Sequence, residues 1–111
     1  MTAPGRAAAA RLRSICAARP GAVAAPLRRG PTYRIGGKIF ALERKEGDSL
    51  ALWCKAPKGE QAALIDSDPR RFFSPPYYGR HGWIGVRLDD PVDWGRVEGF
   101  VERSFRLVKG D

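Results

Sequence analysis

The segment TYRIGGKIFAL, residues 32–42, decides the fold class of this chain. Two short runs with the two-residue period of a strand flank the pair Gly36–Gly37. A type I′ turn requires a positive φ at both of its central residues, and glycine adopts that conformation without a steric cost. The segment therefore predicts a β-hairpin whose strands cover residues 32–35 and 38–42.

A third strand follows this hairpin. A second turn falls at residues 45–48, and the next run, residues 49–55, alternates again. Leu50 and Leu52 share one side of that strand, and Trp53 lies on the other. Because tight turns connect the three strands, their pairing is antiparallel.

Helices and further strands are predicted on both sides of these strands. In chain order they are a helix at 6–18, a loop at 19–32, a short helix that Pro57 opens and that runs to residue 65, an aromatic segment at 72–82 with room for an edge strand, a strand at 83–88, and a helix at 93–108 that Asp93 caps. Helices with one apolar stripe cover one face of a twisted sheet. The sequence thus predicts an α+β, two-layer sandwich, with an antiparallel β-sheet and helices packed on one face.

Length and apolar content limit the class of protein. The chain has 111 residues, of which 43% are hydrophobic, and this suits a single domain. We assign a short tail to residues 1–5 and the domain to residues 6–111. No apolar run reaches the roughly 18 residues that a membrane span requires, so no membrane association is expected.

The N-terminal region and the cysteines bear on location. Cys16 and Cys54 belong to no Cys-x-x-Cys or Cys/His cluster, so no metal site is predicted, and such sparse cysteines suit a reducing, cytoplasmic location. The Arg- and Ala-rich N-terminus resembles a mitochondrial transit peptide in composition. The apolar stripe of Leu12, Ile15 and Cys16 favours instead the first helix of the domain.

The net charge of +8 originates in the first 42 residues. That segment contains basic residues and no acidic ones, whereas basic and acidic residues balance over 43–111. A basic, acid-free segment attracts polyanions such as nucleic acid, anionic lipid or acidic proteins. The charge alone leaves open the alternative of a solvated, arginine-rich surface without a ligand.

Candidate nucleic-acid-binding residues fall into two groups. The basic residues around the predicted hairpin are Arg28, Arg29, Arg34 and Lys38. The residues around the aromatic segment are Arg70, Arg71, Tyr78, Arg80 and Arg87. Arginine forks suit phosphate oxygens, and an exposed aromatic ring, for which Tyr78 is the first candidate, stacks on an unpaired base. The alternative is that the aromatic residues cover the edge of the core, namely Phe72, Phe73, Tyr77 and Trp83.

No motif points to catalysis, so the protein is not expected to be an enzyme. His81 is the single histidine, and no nucleophile motif accompanies it. Asp89 and Asp90 are adjacent, which is more typical of a turn than of an acid–base pair, because sequence neighbours point apart. No phosphate-binding loop is present, and no cofactor is predicted.

Several stretches resemble the MmcQ/YjbR family: YRIGGKIFAL at 33–42, PPYYGRHGWIGVRLD at 75–89, and Asp93–Trp94 with SFRLV at 104–108. The resemblance covers residues 12–109. It implies a compact sandwich similar to the frataxin/CyaY-like fold, and a DNA-binding role. Frataxin-like iron handling uses an acidic first helix, because hard cations bind carboxylate oxygens. The first helix here carries arginines instead, so an iron site is not expected.

These observations lead to one main hypothesis and one alternative. The main hypothesis is a small, basic, non-enzymatic protein that binds nucleic acid, most simply DNA, with low sequence specificity. Without a recognition helix, base-specific reading of the major groove is not expected. The alternative is a protein- or peptide-interaction module that presents the sheet face carrying Trp53 to a partner.

Overall fold

A computed structural model describes residues 3–110, apart from the side chains of residues 3, 4 and 27. Its helices and strands, in chain order, are α1 (Ala3–Ala17), β1 (Val23–Leu27), β2 (Gly30–Ile35), β3 (Lys38–Glu46), β4 (Ser49–Lys55), α2 (Glu60–Ser67), β5 (Phe72–Phe73), β6 (Trp83–Arg87) and α3 (Trp94–Lys109), with a 3-10 turn at Tyr78–His81. The expected tail at 1–5 lies partly outside the described residues, and α1 begins at Ala3, earlier than the expected residue 6.

The strands form one antiparallel sheet in the order β1-β2-β3-β4-β6-β5. The hairpin around Gly36–Gly37 is confirmed, because both glycines have a positive φ, +56° and +80°, as a type I′ turn requires. The aromatic segment contributes β5, which is an edge strand of the sheet. The sequence had therefore predicted the centre of the sheet and one of its edges.

The helices pack against one face of the sheet, which confirms the α+β sandwich. Leu12 of α1, Leu64 of α2 and Val101 of α3 enter a single core with the inward side chains of the strands. Phe105 of α3 meets Phe40 of β3 edge to face, with 5.4 Å between ring centroids. Burial of such side chains is the main force that holds the layers together, worth roughly 1.5–3 kcal/mol per large apolar residue.

The final helix begins where its sequence predicted. Asp93 caps α3, and its side chain accepts a hydrogen bond from the backbone N–H of Arg96 at 3.0 Å. Gly95 and Gly99 lie on the exposed side of this helix. Each costs about 1 kcal/mol of helix propensity, so packing of the apolar face stabilises α3.

A β-bulge in β3 connects the sheet to α3. Tyr33 pairs with Ala41 and Arg34 pairs with Ile39, so Phe40 is an extra residue without a partner in β2. Phe40 and Ala41 both enter the core. The buried hydroxyl of Ser104 donates to the Phe40 carbonyl at 2.6 Å and accepts from the backbone N–H of Lys55 at 2.8 Å. One side chain therefore satisfies polar groups of both central strands.

The prediction of a loop over 19–32 is wrong, because this segment contains β1 and the start of β2. Val23–Leu27 pairs with Gly30–Ile35 along its whole length. Pro26 argued against a strand, but proline is tolerated on an edge strand, where its missing N–H breaks no internal ladder. The sequence of β1 also lacks a clear alternation of apolar and polar residues. This strand is therefore held in place by its pairing with β2.

The expected start of α2 at Pro57 is also wrong. The helix begins at Glu60, after Gly59, whose φ is +86°. The Pro57 carbonyl accepts a hydrogen bond from the Glu60 N–H at 3.1 Å, so Pro57 opens a turn ahead of the helix. The helix continues to Ser67, beyond the expected residue 65.

Replacement of Ser104 by alanine should destabilise the fold by about 1–3 kcal/mol, because it leaves the Phe40 carbonyl and the Lys55 N–H buried without a partner. The control is Thr32→Val. The buried Thr32 hydroxyl has no hydrogen-bond partner within the described part of the chain, so its removal should leave stability equal or higher. Urea unfolding measures both. Equal losses in the two variants would contradict this account of the bulge.

Candidate nucleic-acid interface

Within residues 3–110, one face of the sheet carries no α-helix. The strand pairings place Thr32, Leu42, Trp53, Gly85 and Phe73 in one row across β2, β3, β4, β6 and β5. Directly opposed residues of antiparallel strands point to the same side. Their sequence neighbours enter the helical core, so this row points away from the helices. We call this side the helix-free face.

Aromatic side chains cover the middle of the helix-free face. Tyr78 packs against Trp53 and Trp83, with ring centroids 6.0 and 4.9 Å apart. We call these residues the aromatic cluster. At the edge, the Phe73 ring lies over Gly85, where a Cβ atom would come within 2.3 Å of the ring. A side chain at position 85 would displace this ring, so glycine lets the ring lie directly on the strand.

An open hollow of about 320 Å³ adjoins the aromatic cluster. Its lining residues are Arg28, Arg29, Arg44, Lys45 and Trp53, and we call it the basic hollow. The Arg44 guanidinium lies 5.9 Å from the centre of the Trp53 ring. Burial lowers the pKa of Arg44 from its ordinary value, although an arginine remains cationic in a protein. The basic hollow therefore concentrates positive charge around an indole.

The turn between β1 and β2 positions Arg28 and Arg29 at this hollow. Gly30 has a φ of +127°, and a Cβ atom there would lie 2.3 Å from the Glu43 carbonyl oxygen. Arg44 donates to the carbonyls of Gly30 at 3.2 Å and of Glu43 at 2.8 Å. Glycine permits the close approach, and Arg44 fastens the turn to β3. Sequence reasoning omitted Arg44, Lys45 and Trp53 from the site because it did not identify this hairpin.

Arg34 and Lys38 lie far from Arg28 and Arg29. They flank the turn at the other end of β2, roughly 20 Å away at about 3.3 Å per strand residue. Both side chains are exposed, and Arg34 donates to the Gly37 carbonyl at 3.1 Å. The structure thus separates the four basic residues of the first predicted group into two pairs.

Two arginines of the second predicted group hold the sheet edge together. Arg71 donates to the carbonyls of Arg87 at 2.7 Å, Asp89 at 2.8 Å and Pro91 at 3.1 Å. Arg87 in turn donates to the Arg70 carbonyl at 3.2 Å. The guanidinium groups of Arg71 and Arg87 thus donate hydrogen bonds to backbone carbonyls. The Arg70 side chain, by contrast, is exposed.

The expectation that Tyr78 is the exposed aromatic is wrong, as is the assignment of Tyr77 to the core edge. Tyr77 is 65% exposed, and Tyr78 is half-buried in the aromatic cluster. Tyr77 has φ 67° and ψ −57°, and the Pro76 carbonyl accepts from the Tyr78 N–H at 2.7 Å. These values describe a γ-turn with positive φ, which costs a non-glycine residue about 1–3 kcal/mol. The turn directs the Tyr77 ring into solvent.

A second open cleft, of about 540 Å³, lies beside this turn. Its cationic or titratable lining residues are Lys55, Lys58, Arg80 and His81, and we call it the Lys58 cleft. Arg44 pairs with Ala51, two residues before Trp53, and Lys55 follows two residues after it. The basic hollow and the Lys58 cleft therefore flank Trp53 along β4.

The ion pairs of the described residues lie at the helical layer. Within residues 3–110, each described ion pair includes a residue of α1, α2 or α3. The pairs are Arg13 with Glu43, Arg19 with Glu102, Arg103 with Glu60, and Arg106 with Glu102. The hydrogen bond from Arg19 holds the pKa of Glu102 below its ordinary value. Four arginines of this layer are thus paired with carboxylates, whereas no ion pair of the described residues involves the lining of the basic hollow.

Within residues 3–110, no group of three His, Cys, Asp or Glu side chains has the geometry to hold a metal ion. In the same residues, no helix has both the length and the apolar character needed to cross a bilayer.

A family model described as YjbR matches residues 17–107, so the chain belongs to the YjbR family. The structure is similar to the crystal structure of Deinococcus radiodurans protein DR2400, which carries the family-model domain DUF419, with a TM-score of 0.77 and 22% sequence identity over 90% of this chain and 77% of that chain. At this identity the likeness establishes the fold. No curated protein sequence matches this one.

The two thiols belong to the core. Cys16 and Cys54 are free and buried, and burial raises the pKa of each thiol to about 12. Burial also raises the pKa of Tyr33 to about 12. At neutral pH the thiols are therefore protonated, which is the opposite of what a nucleophilic cysteine requires.

These raised pKa values predict a loss of stability in alkali. Each group is neutral in the folded state up to about pH 12, but it ionises near its ordinary pKa once unfolded. The stabilisation is therefore complete below that ordinary value and declines above it, by about 1.4 kcal/mol per pH unit for each group. Urea unfolding between about pH 7 and pH 11 measures the slope, and Cys54→Ala should reduce it above pH 9, the ordinary thiol value. An unchanged slope in that variant would contradict the assignment.

Proposed function

We propose that this YjbR-family protein is a non-enzymatic, low-specificity nucleic-acid-binding protein, most simply of DNA, that uses its helix-free face. The observation that carries the proposal is the basic hollow. It gathers the side chains of Arg28, Arg29 and Arg44 beside a half-buried indole, and none of these arginines forms an ion pair with a carboxylate of the described residues. Such a surface attracts a polyanion.

The hollow combines a fixed donor with mobile ones. Arg44 is held by two carbonyls, whereas the exposed Arg28 and Arg29 can adjust to the spacing of phosphates. Guanidinium groups bind phosphate oxygens in a bidentate manner. Phosphate contacts position a nucleic acid without reading its bases, and no α-helix of residues 3–110 lies on this face to enter a major groove. These features support binding with little sequence preference.

The alternative of a protein-interaction module requires an exposed apolar patch. Trp53 is half-buried beneath Tyr78 and Arg44, so it offers little apolar surface. The exposed large hydrophobic residues of the described chain are Val23 on β1, Tyr77 beside the 3-10 turn and Leu107 on α3. Because these three residues belong to separate elements, they form no continuous apolar surface on which a protein partner could dock. The surface therefore favours a polyanion over an apolar partner.

Removal of two cations from the hollow should weaken binding and its salt dependence. In the variant Arg28→Ala/Arg29→Ala, the slope of log K against log salt should decrease in magnitude by about two, since each lost phosphate contact removes about one. Fluorescence anisotropy with labelled oligonucleotides of about 20 nucleotides, at about 50 to 200 mM salt, measures the slope.

The matched control is Arg11→Ala/Arg106→Ala, which removes the same charge from the helical layer. Arg11 lies over the Trp94 ring and Arg106 pairs with Glu102. The control should change the slope by less than about half a unit, because long-range charge is screened beyond about 10 Å at 0.1 M salt. Equal effects of the two double variants would contradict a site at the hollow, and absence of binding at low salt would contradict the proposed function.

A further inference from the structure

The exposed Tyr77 ring is the feature of this surface that the phosphate site does not explain. Its backbone adopts the positive-φ γ-turn, and the side chain is 65% exposed. A residue in so unfavourable a conformation usually gains something from it, such as burial of its side chain. Little of the Tyr77 side chain is buried, so burial does not offset the strain of the turn. The strained backbone instead holds the ring in solvent.

The turn is nevertheless firmly anchored. Gln61 of α2 donates to the carbonyls of Gly79 at 2.8 Å and Trp83 at 2.6 Å. The Gly79 N–H donates to the Pro75 carbonyl at 2.7 Å. Tyr78, the next residue, is wedged between the two tryptophans of the aromatic cluster. These contacts fix the backbone on both sides of Tyr77 and leave its ring projecting.

A guanidinium and an imidazole contact the projecting ring. The Arg80 guanidinium lies 4.5 Å from the ring centre, and His81 makes an edge contact with ring centroids 5.8 Å apart. Arg80 also lines the Lys58 cleft with Lys55 and Lys58. An aromatic ring next to such cations suits an unpaired base and its phosphate, because every base has a face that stacks on an aromatic ring. In a duplex, by contrast, the faces of the bases are stacked on one another.

We propose that Tyr77 and the Lys58 cleft make this protein selective for single-stranded over double-stranded nucleic acid. A base of the strand stacks on Tyr77, and the neighbouring phosphate meets Lys58 and Arg80. The same strand then passes over the aromatic cluster to the basic hollow on the other side of Trp53. This inference rests on the proposed function and adds to it the class of nucleic acid that is bound.

The test compares Tyr77→Gly with Tyr77→Phe. Glycine adopts a positive φ without strain, so Tyr77→Gly keeps the turn, removes the ring and should leave the protein equally or more stable in urea. Its affinity for a labelled poly-dT oligonucleotide should decrease roughly 5- to 150-fold, the loss of one stacked base, while its affinity for a duplex of the same length changes less than about twofold. Tyr77→Phe keeps the ring and should bind both probes as the unaltered protein does.

The outcomes separate this inference from the proposed function. Binding of both probes with equal affinity, or an equal effect of Tyr77→Gly on both, overturns the single-strand selectivity and leaves the proposed function standing. Absence of binding to either probe at low salt overturns both. The inference is supported if the protein prefers poly-dT, Tyr77→Gly abolishes this preference and Tyr77→Phe retains it. A purely structural role of the turn would not produce this difference between the two variants.

Discussion

The hydroxyl of Ser104 makes the contact on which the arrangement of the layers depends. A bulge at Phe40 places two consecutive residues of β3 in the core. Ser104 binds the Phe40 carbonyl and the Lys55 N–H, so α3 is fixed along the two central strands. A polar bond inside an apolar layer sets the position of the helix more strictly than burial alone, because burial is not directional. The helices therefore occupy one face, and the other is left to loops and side chains.

The two faces use arginine in different ways. On the helical side, Arg13 donates two hydrogen bonds, of 2.9 and 2.8 Å, to the buried carboxylate of Glu43, and this pair joins α1 to the sheet. On the helix-free face, Arg44 is fixed by carbonyls, which do not cancel its charge, and Arg28 and Arg29 extend beside it. Four arginines of the helical side are thus paired with carboxylates, whereas those of the basic hollow are not. The proposed function follows from this asymmetry and not from the charge alone.

The sequence predicted those features that short-range chemistry determines. The turn at Gly36–Gly37 and the cap at Asp93 depend on residues within a few positions, and both were predicted correctly. Strand β1 was missed because Pro26 and a weak alternation hide a strand that only its pairing with β2 stabilises. The exposed ring was assigned to the wrong tyrosine because the turn at Tyr77 depends on distant anchors such as Gln61. The sequence therefore predicted that arginines and aromatic residues would form the candidate site. Which of these residues lie next to one another depends on the fold.

The three tryptophans allow the most direct test of nucleic-acid binding on the helix-free face, because they report separately on the two sides of the sheet. Trp53 and Trp83 belong to the helix-free face, whereas Trp94 lies beneath Arg11 on the helical side. An NMR titration of the three indole N–H signals with poly-dT at low salt should shift the Trp53 signal, leave that of Trp94 unchanged, and reverse when salt is added. Equal shifts at Trp53 and Trp94, or no shift at any indole, would contradict nucleic-acid binding on the helix-free face.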